Sequence, residues 1–332
     1  MSSLTSPSGD TAVAASPEDA HPKPPRPTIR QRLSRLDVSV SPYLYVLPFF
    51  AVFAVIGLYP MLYSLYLSFF SWPRFGAAHG DAVGWANYLH VLEDPVFHQA
   101  FWNTIGIFAL SSIPQIIIAT VVAALLDTNL RGRSWWRMSV LLPFVVAPAA
   151  TALIFGSLFA DKSGLVNDAL GWFGISGVQW HANRLGSWTA IATMVNWRWT
   201  GYNALILLAA MQAIPRDLYE AASMDGAGAV RQFRHVTLPS IRPTMMFVII
   251  TSTIGGLQIF TEPRLFDTNL QHQGGANYEY QTLTMYVFNT ANSSTDPYPR
   301  AAAAAWILFG IIVAFAIANF LITRAVQHRS AS

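Results

Sequence analysis

The stretch NWRWTGYN, residues 196–203, concentrates polar and aromatic groups in an otherwise apolar region. Two indoles and a phenol stand beside amides, a hydroxyl and a guanidinium. This mixture suits a sugar, because the C–H face of the ring stacks on aromatics and the hydroxyls need hydrogen-bond partners. Gln258, Thr261 and Glu262 add polar groups at the end of a later apolar run. The predicted solute-contacting residues are Asn196, Trp197, Trp199, Tyr202, Asn203, Gln258, Thr261 and Glu262.

The same residues allow other arrangements. Tryptophan and tyrosine also form belts at the membrane surface, but this motif begins about ten residues into an apolar run of about twenty-six, which favours a cavity. Arg198 either pairs with Glu262 or extends its head group outward along its aliphatic stem. The sequence leaves both arrangements of Arg198 open.

Other kinds of chemistry lack the residues they require. The chain has no cysteine, which excludes disulfides, thiolate zinc sites and cysteine nucleophiles. The nearest approach to a phosphate-binding loop, GSLFADKS at 156–163, has Asp161 in place of the second glycine. Five histidines lack metal-ligand spacing: His90, His98, His181, His235 and His272. We predict no catalytic residue, no metal, no cofactor and no nucleic-acid partner, and no acid, base and nucleophile set of a membrane-embedded enzyme.

The composition determines which elements must position these groups. Hydrophobic residues make up 53% of the 332-residue chain and charged residues 11%, against roughly 25% charged in soluble domains. Apolar runs of about twenty residues recur, the length that crosses a ~30 Å hydrocarbon layer as a helix. We therefore predict an all-α integral membrane protein. Residues 1–41 are rich in Pro, Ser and charge and are predicted to be a disordered tail.

Six transmembrane helices are predicted within a membrane domain of residues 42–325, followed by a short tail at 326–332. Their approximate bounds are 43–70, 101–126, 138–160, 187–212, 242–262 and 301–323. Prolines inside or beside the first, third and fifth spans tend to bend a helix: Pro48, Pro60, Pro143, Pro148 and Pro243. With the N-terminus inside, fourteen of the twenty lysines and arginines fall in cytoplasmic segments. By the positive-inside rule, both termini are predicted to be cytoplasmic.

A compact polar segment, YEAASMDGAGAVRQFRHVTLP at 219–239, separates the fourth and fifth spans on the cytoplasmic side. The surrounding loop, about 214–240, predicts a short helix, a left-handed turn at Gly226 and a second short helix that ends near Pro239. Leu218, Ala221, Ala222 and Asp225 recur at helical spacing on one side.

The first helix of this segment has two possible roles. Its small alanines allow a partner's backbone to approach, with Leu218 and Tyr219 as apolar anchors and Glu220 as a carboxylate. Alternatively, the helix lies on the membrane surface and braces the loop.

A longer pattern in the loop resembles the EAA loop of permease subunits of binding-protein-dependent ABC importers. It consists of Glu220-Ala221-Ala222, three residues, Gly226, nine residues, and Val236-Thr237-Leu238-Pro239, with Val236 at a position where the family usually has Ile. Residues 83–104 and 196–227 also resemble the sugar permeases of the maltose-transporter type, and the resemblance covers roughly 40–325. After the fifth span, the stretch around Gly274-Gly275 is longer and more polar than in that family.

The resemblance implies a subunit that forms half of a translocation path in a bacterial inner membrane. Its coupling residues would be Leu218, Tyr219, Glu220, Ala221, Ala222, Asp225, Gly226, Leu238 and Pro239. Its implied partners are a second homologous permease, two cytoplasmic ATPase subunits, an external solute-binding protein and a sugar. A disaccharide or an oligosaccharide such as a cello-oligosaccharide fits an aromatic-rich cavity.

The alternative is an ion-coupled secondary carrier of a small polar solute. Such a carrier needs carboxylates near the midplane of the membrane for its coupling ions. Only Glu262 lies near a span, and it is not at the centre.

Overall fold

The computed structural model describes residues 29–72, 80–128, 131–267, 274–293 and 297–331. The described part is mostly helical; its one ribbon pairs β1 (Phe70–Ser71) antiparallel with β2 (Asp81–Ala82). The fifteen helices of the described residues are α1 (Ile29–Phe53), α2 (Tyr59–Leu67), α3 (Ala86–Glu93), α4 (Pro95–Asp127), α5 (Arg133–Val145), α6 (Pro148–Leu158), α7 (Leu165–Trp172), α8 (Arg184–Gln212), α9 (Arg216–Met224), α10 (Ala229–Gln232), α11 (Leu238–Ser240), α12 (Arg242–Leu257), α13 (Thr261–Phe266), α14 (Leu283–Ala291) and α15 (Pro297–Ala331).

The chain divides into a first unit, Met1–Pro60, and a second, Met61–Ser332. In the first unit, α1 is followed by a π-helical turn, Ala54–Leu58. The prediction that residues 1–41 form a disordered tail is wrong at the C-terminal end of that range, because α1 already begins at Ile29. The physical reason is the Arg-, Gln- and Leu-rich sequence after Ile29, whose residues favour helices. Residues 1–28 lie outside the part of the chain that the structure describes.

Three predicted spans coincide with helices that are long and apolar enough to cross a membrane. The first corresponds to Ser41–Leu67, the second to α4 and the sixth to Tyr298–Leu321 within α15. The helix α15 continues to Ala331, so most of the predicted tail at 326–332 is also helical.

The third and fifth predicted spans are not single straight helices. A bend of 88° separates α5 from α6, where Pro148 begins the second helix. A bend of 70° separates Ala229–Ser240 from α12, where Pro243 lies in the first turn. Both bends agree with the expectation from the prolines.

The fifth span also ends at Leu257, short of the predicted 262, and α13 begins separately at Thr261. If each bent pair is one span, five described segments can cross by length and composition.

The fourth predicted span lies within α8, whose 29 residues exceed the length needed to cross. Because α8 contains many polar residues, it is not among the helices whose apolar composition alone marks them as candidate membrane spans. Helix α8 is a central helix of the second unit, and buried residues occur along its length between Gly186 and Met211. It packs along α4, and one tight approach places Gly106 of α4 against the ring of Trp188.

The core of the second unit consists of three apolar clusters. One joins the start of α4 to α14 and α15, including Phe97, Leu283 and Leu308. A second surrounds Met194 at the start of α8, and the third surrounds Leu207 near its end. Between the second and third clusters, α8 contains the motif at 196–203.

Candidate functional site

A cavity of about 390 Å³ lies where α4, α6, α8, α12 and α13 meet. This volume falls within the range of small-molecule sites, ~300–1,000 Å³. Six of the eight residues predicted to contact a solute line it: Trp199, Tyr202, Asn203, Gln258, Thr261 and Glu262. The structure thus brings together residues from two distant parts of the sequence. Their use for binding stays a prediction.

One wall of the cavity is aromatic. Trp199 and Tyr202 meet edge to face, with ring centroids 5.8 Å apart. Behind them, Phe144 of α5 stacks on Tyr202 at 4.5 Å and contacts the edge of Trp199 at 5.1 Å. These contacts hold the two rings in place, because aromatic rings prefer offset and edge-to-face arrangements. The wall is therefore preorganised.

A second wall presents neutral polar groups. Asn203 of α8 donates through Nδ2 to Gln115 Oε1 on α4 at 3.1 Å and to Ser252 Oγ on α12 at 3.2 Å. The Ser252 hydroxyl in turn donates to Gln115 Oε1 at 3.4 Å. Asn203 and Gln115 are almost fully buried, so their hydrogen bonds satisfy groups that would otherwise be costly. The cluster joins three helices at the cavity.

The charged residues of the cavity pair with each other. Arg198 Nη1 lies 2.6 Å from Glu262 Oε1, and the two residues are only 6% and 7% exposed. Of the two arrangements that the sequence left open, the structure has the pair and not the outward extension of Arg198. The pair also connects α8 to α13 across 64 positions of sequence.

Asn196 and Trp197 do not line the cavity, contrary to the prediction. Asn196 Nδ2 approaches the carbonyl of Leu110 at 3.4 Å, and Trp197 packs against Phe155 at 5.5 Å. At 3.6 residues per turn, position 197 projects away from the face that holds 198, 199, 202 and 203, whereas position 196 lies on the same side as 203, about two turns earlier. Asn196 is therefore at the edge of the cavity-facing side with its amide directed at α4, and only Trp197 turns away.

Sequence reasoning missed cavity residues on α4 and α12. Ser112, Gln115, Thr251 and Ser252 all line the cavity. Each is a polar residue inside an apolar run, which was the signal that identified the motif on α8. Their isolated positions made that signal weaker than the dense cluster at 196–203.

The polar loop between α8 and α12 contains the predicted helix, turn and second helix. The end of α9 has a Schellman motif: Ala227 N donates to Ala222 O at 2.9 Å and Gly226 N donates to Ser223 O at 3.0 Å. Gly226 has a φ of +77°, which explains the glycine. Gln232 of α10 then donates to Ser223 Oγ of α9 at 2.8 Å. This hydrogen bond joins the first arm of the loop, α9, to the second arm, which begins with α10. Its second arm includes a π-helical turn, Phe233–Thr237, before α11.

Among the predicted coupling residues, Leu218, Glu220, Ala221, Asp225 and Gly226 are exposed. Tyr219 is different: its hydroxyl hydrogen-bonds Thr237 Oγ1 at 2.9 Å within the loop. This residue therefore braces the two arms instead of projecting as an apolar anchor. Ala222, Leu238 and Pro239 are half-buried.

The described part of the polar stretch after α13 folds against α4. Asn103 Nδ2 donates to the carbonyls of Tyr278 and Gln281 at 2.7 and 3.0 Å. Gly274 and Gly275 both have positive φ, and a Cβ on Gly274 would lie 2.6 Å from Gln281 Cα. Burial, followed by the charge of Asp267, raises the pKa of the Tyr280 phenol well above its ordinary value. Residues 268–273, including His272, lie outside the described ranges.

A family model described as "Binding-protein-dependent transport system inner membrane component" matches residues 107–329. The chain belongs to this family. The match includes α8, most of α4 and the whole polar loop at about 214–240, which we call the coupling loop after its predicted role, so the resemblance inferred from the EAA pattern is confirmed. The chain is an ABC-transporter permease, a transport component of the inner membrane that depends on a binding protein.

Known permeases match over most of the chain. The lactose transport system permease of Rhizobium radiobacter is 33% identical, over 91% of this chain and 99% of the relative. The sulfoquinovosyl glycerol transport system permease of Agrobacterium fabrum is 32% identical, over 81% and 85%. A crystal structure of a bacterial ABC transporter involved in the import of the acidic polysaccharide alginate has a similar fold. The TM-score is 0.73 at 20% identity, over 89% of this chain and 99% of that chain.

Proposed function

We propose that this permease forms half of the translocation path of an importer for a disaccharide or short oligosaccharide. The observation that supports this is the cavity, which the Trp199 and Tyr202 rings line together with an amide and hydroxyl cluster. Stacking surfaces beside paired donors and acceptors are what a sugar requires. The lactose and sulfoquinovosyl glycerol permeases are named for glycosides, which supports the same class. A cello-oligosaccharide is one candidate within it.

The energy for import comes, in this proposal, from a separate ATPase subunit that seats against the coupling loop. The exposed Leu218, Glu220, Ala221 and Asp225 supply its contact surface. The Schellman turn and the Gln232 to Ser223 hydrogen bond make the loop rigid enough to transmit a rigid-body movement. The complete assembly contains a second homologous permease, two ATPases and an external binding protein, and this chain catalyses no reaction itself. It crosses the membrane six times with both termini in the cytoplasm.

Uptake in the bacterium that carries the gene tests this function. We expect deletion of the gene to abolish import of at least one labelled disaccharide from a set that includes lactose and cellobiose, and the wild-type gene to restore it. Import should continue when a protonophore collapses the ion gradient and should stop when cellular ATP is depleted. The opposite pattern would support the ion-coupled carrier instead. The structure gives that carrier little support, because the one carboxylate lining the described cavity is paired with Arg198.

The coupling loop is tested by Glu220→Lys, with the exposed Glu93→Lys on α3 as the matched control. We expect Glu220→Lys to insert normally but to lose uptake and co-purification of the ATPase. The control should retain both. Normal uptake by Glu220→Lys would remove the loop from the proposed mechanism.

A further inference from the structure

The cavity is electrically neutral. Eighteen of the described residues line it, and the two charged ones among them, Arg198 and Glu262, form an ion pair at 2.6 Å. The remaining polar groups of the lining, such as Gln115, Asn203 and Ser252, are uncharged. The permeases named for lactose, which is uncharged, and for sulfoquinovosyl glycerol, which contains a sulfonate, leave the charge of the solute undecided. The lining of this cavity, in contrast, indicates which charge of solute it accepts.

A net charge entering this cavity would lack a counter-charge. Arg198 and Glu262 are each more than nine-tenths buried, so both have already lost most of their water and rely on each other. An anionic solute would have to compete with Glu262 for the guanidinium and would leave a second buried carboxylate unpaired. A cationic solute would compete with Arg198 in the same way. Transfer of an unpaired charge from water to such a site is strongly unfavourable.

The ion pair still has hydrogen-bonding capacity for an uncharged solute. Arg198 lines the cavity, and hydrogen bonds within the described residues engage only Nη1 of its guanidinium, which carries five N–H donors; the unpartnered Nε is itself buried. A sugar hydroxyl accepts and donates at once, so it can accept from a guanidinium and donate to a carboxylate or amide oxygen without adding charge. An uncharged polyhydroxyl solute therefore matches the lining.

We infer that this permease selects uncharged sugars and that the Arg198–Glu262 pair is the element of the cavity that excludes charged ones. The inference rests on the proposed sugar-import function and adds the charge class of the substrate and the residues that determine it. It predicts a specific consequence of unpairing: an isolated Arg198 would become a site for a solute carboxylate.

The test uses the deletion strain with the full transporter, complemented by wild type, Glu262→Gln, Arg198→Gln or the double variant. The probes are labelled lactose and cellobiose and, for each, the uronic acid in which one hydroxymethyl group is replaced by a carboxylate. We expect wild type to import a neutral disaccharide at least tenfold faster than its uronic acid. Glu262→Gln should lower neutral uptake about tenfold and raise the ratio of uronate to neutral uptake. The exposed Glu93→Gln, the same chemical change, is the matched control and should behave as wild type.

The double variant keeps the test informative if a single variant folds poorly. Its cavity is again neutral, so we expect it to regain the preference for the neutral probe while Glu262→Gln does not. Immunoblots of the membrane fraction report the amount of each variant. Equal uptake of uronate and neutral probes by wild type would overturn the inference and leave the proposed function intact. An unchanged ratio in Glu262→Gln would overturn the role of the pair, and chain-independent uptake of every probe would overturn both proposals.

Discussion

Arg198 and Glu262 form a buried ion pair at the cavity, and their burial makes each the structural support of the other. Each is nearly fully buried, and the Arg198 guanidinium also lies 5.8 Å from the centre of the Trp199 ring. A buried charge is tolerated because its partner compensates the lost hydration. The position of Arg198 is thereby fixed beside the aromatic wall.

Charge reversal tests the pair at the residue scale. Removing one partner of a buried ion pair costs about 3–5 kcal/mol, so we expect Arg198→Glu and Glu262→Arg each to lower thermal stability and abolish uptake. The double variant, Arg198→Glu with Glu262→Arg, should regain part of both, because an opposite pair is again present. Thermal unfolding in detergent and uptake in cells measure the two effects. A double variant as unstable as the singles would argue against a direct pair.

Gly226 is a predicted coupling residue for which the structure shows a conformational requirement. Its φ is +77°, and apart from its chain neighbours no described residue lies within 4 Å of where a Cβ would stand. A substitution therefore meets backbone strain of about 1–2 kcal/mol and no steric clash. We expect Gly226→Val to insert normally and lose uptake, and Gly226→Asn to retain most of it, because asparagine adopts the left-handed conformation. Equal loss in both variants would mean that the surface near Gly226, and not its φ, is what matters.

At the scale of elements, α8 organises the second unit. Its face at 198, 199, 202 and 203 meets the cavity, while Gly201 allows α5 to approach closely. A Cβ on Gly201 would lie 1.7 Å from the carbonyl oxygen of Val140. Since α5 also holds Phe144 behind the aromatic wall, the α5–α8 contact positions the cavity rings.

The close approach of α5 and α8 is tested by Gly201→Ala. The methyl group would meet backbone, which cannot rotate away, and overpacking of this kind costs about 1–3 kcal/mol. We expect a lower unfolding temperature and weaker sugar uptake. Gly310→Ala on α15 is the matched control and should leave both near wild type, because within the described residues only its own helix backbone lies within 4 Å of the added methyl group. Indistinguishable melting of the two variants would contradict the packing argument.

At the scale of the whole molecule, the side of the membrane on which each loop lies remains a prediction. The arginine distribution places the coupling loop in the cytoplasm and the segment containing α7 outside. Of the predicted spans, only the one within α8 lies between α7 and the coupling loop along the chain. Two exposed positions, Trp172 and Met224, stand on either side of it at 86% and 85% exposure.

The absence of native cysteine makes this orientation directly measurable. We expect Trp172→Cys to react with a membrane-impermeant maleimide in intact spheroplasts. Met224→Cys should react only after permeabilisation and a urea wash that removes peripheral subunits. Wild type, which has no thiol, is the unlabelled control. Labelling of both positions from the outside would contradict the six-span arrangement with cytoplasmic termini.

Much of the fold was predictable because its causes are local. Three spans follow from uninterrupted apolar runs, and the bend before α6 follows from Pro148. The start of α1 at Ile29 was not predicted, because a polar helix at the end of a Pro-rich segment has no apolar run to mark it. The early end of α12 at Leu257 was also missed, because the apolar residues Ile259 and Phe260 follow the break.

The sequence by itself determined the membrane class, the family and the shape of the coupling loop. These depend on composition, on a spaced motif and on hydrogen bonds between near neighbours, such as Ala227 N to Ala222 O. Only the tertiary structure decided that Arg198 pairs with Glu262, that Asn196 contacts Leu110 instead of lining the cavity, that Trp197 turns away, and that Gln115 and Ser252 complete the cavity. Those outcomes depend on which helix faces meet, and contacts across 64 or more positions leave no local periodic trace.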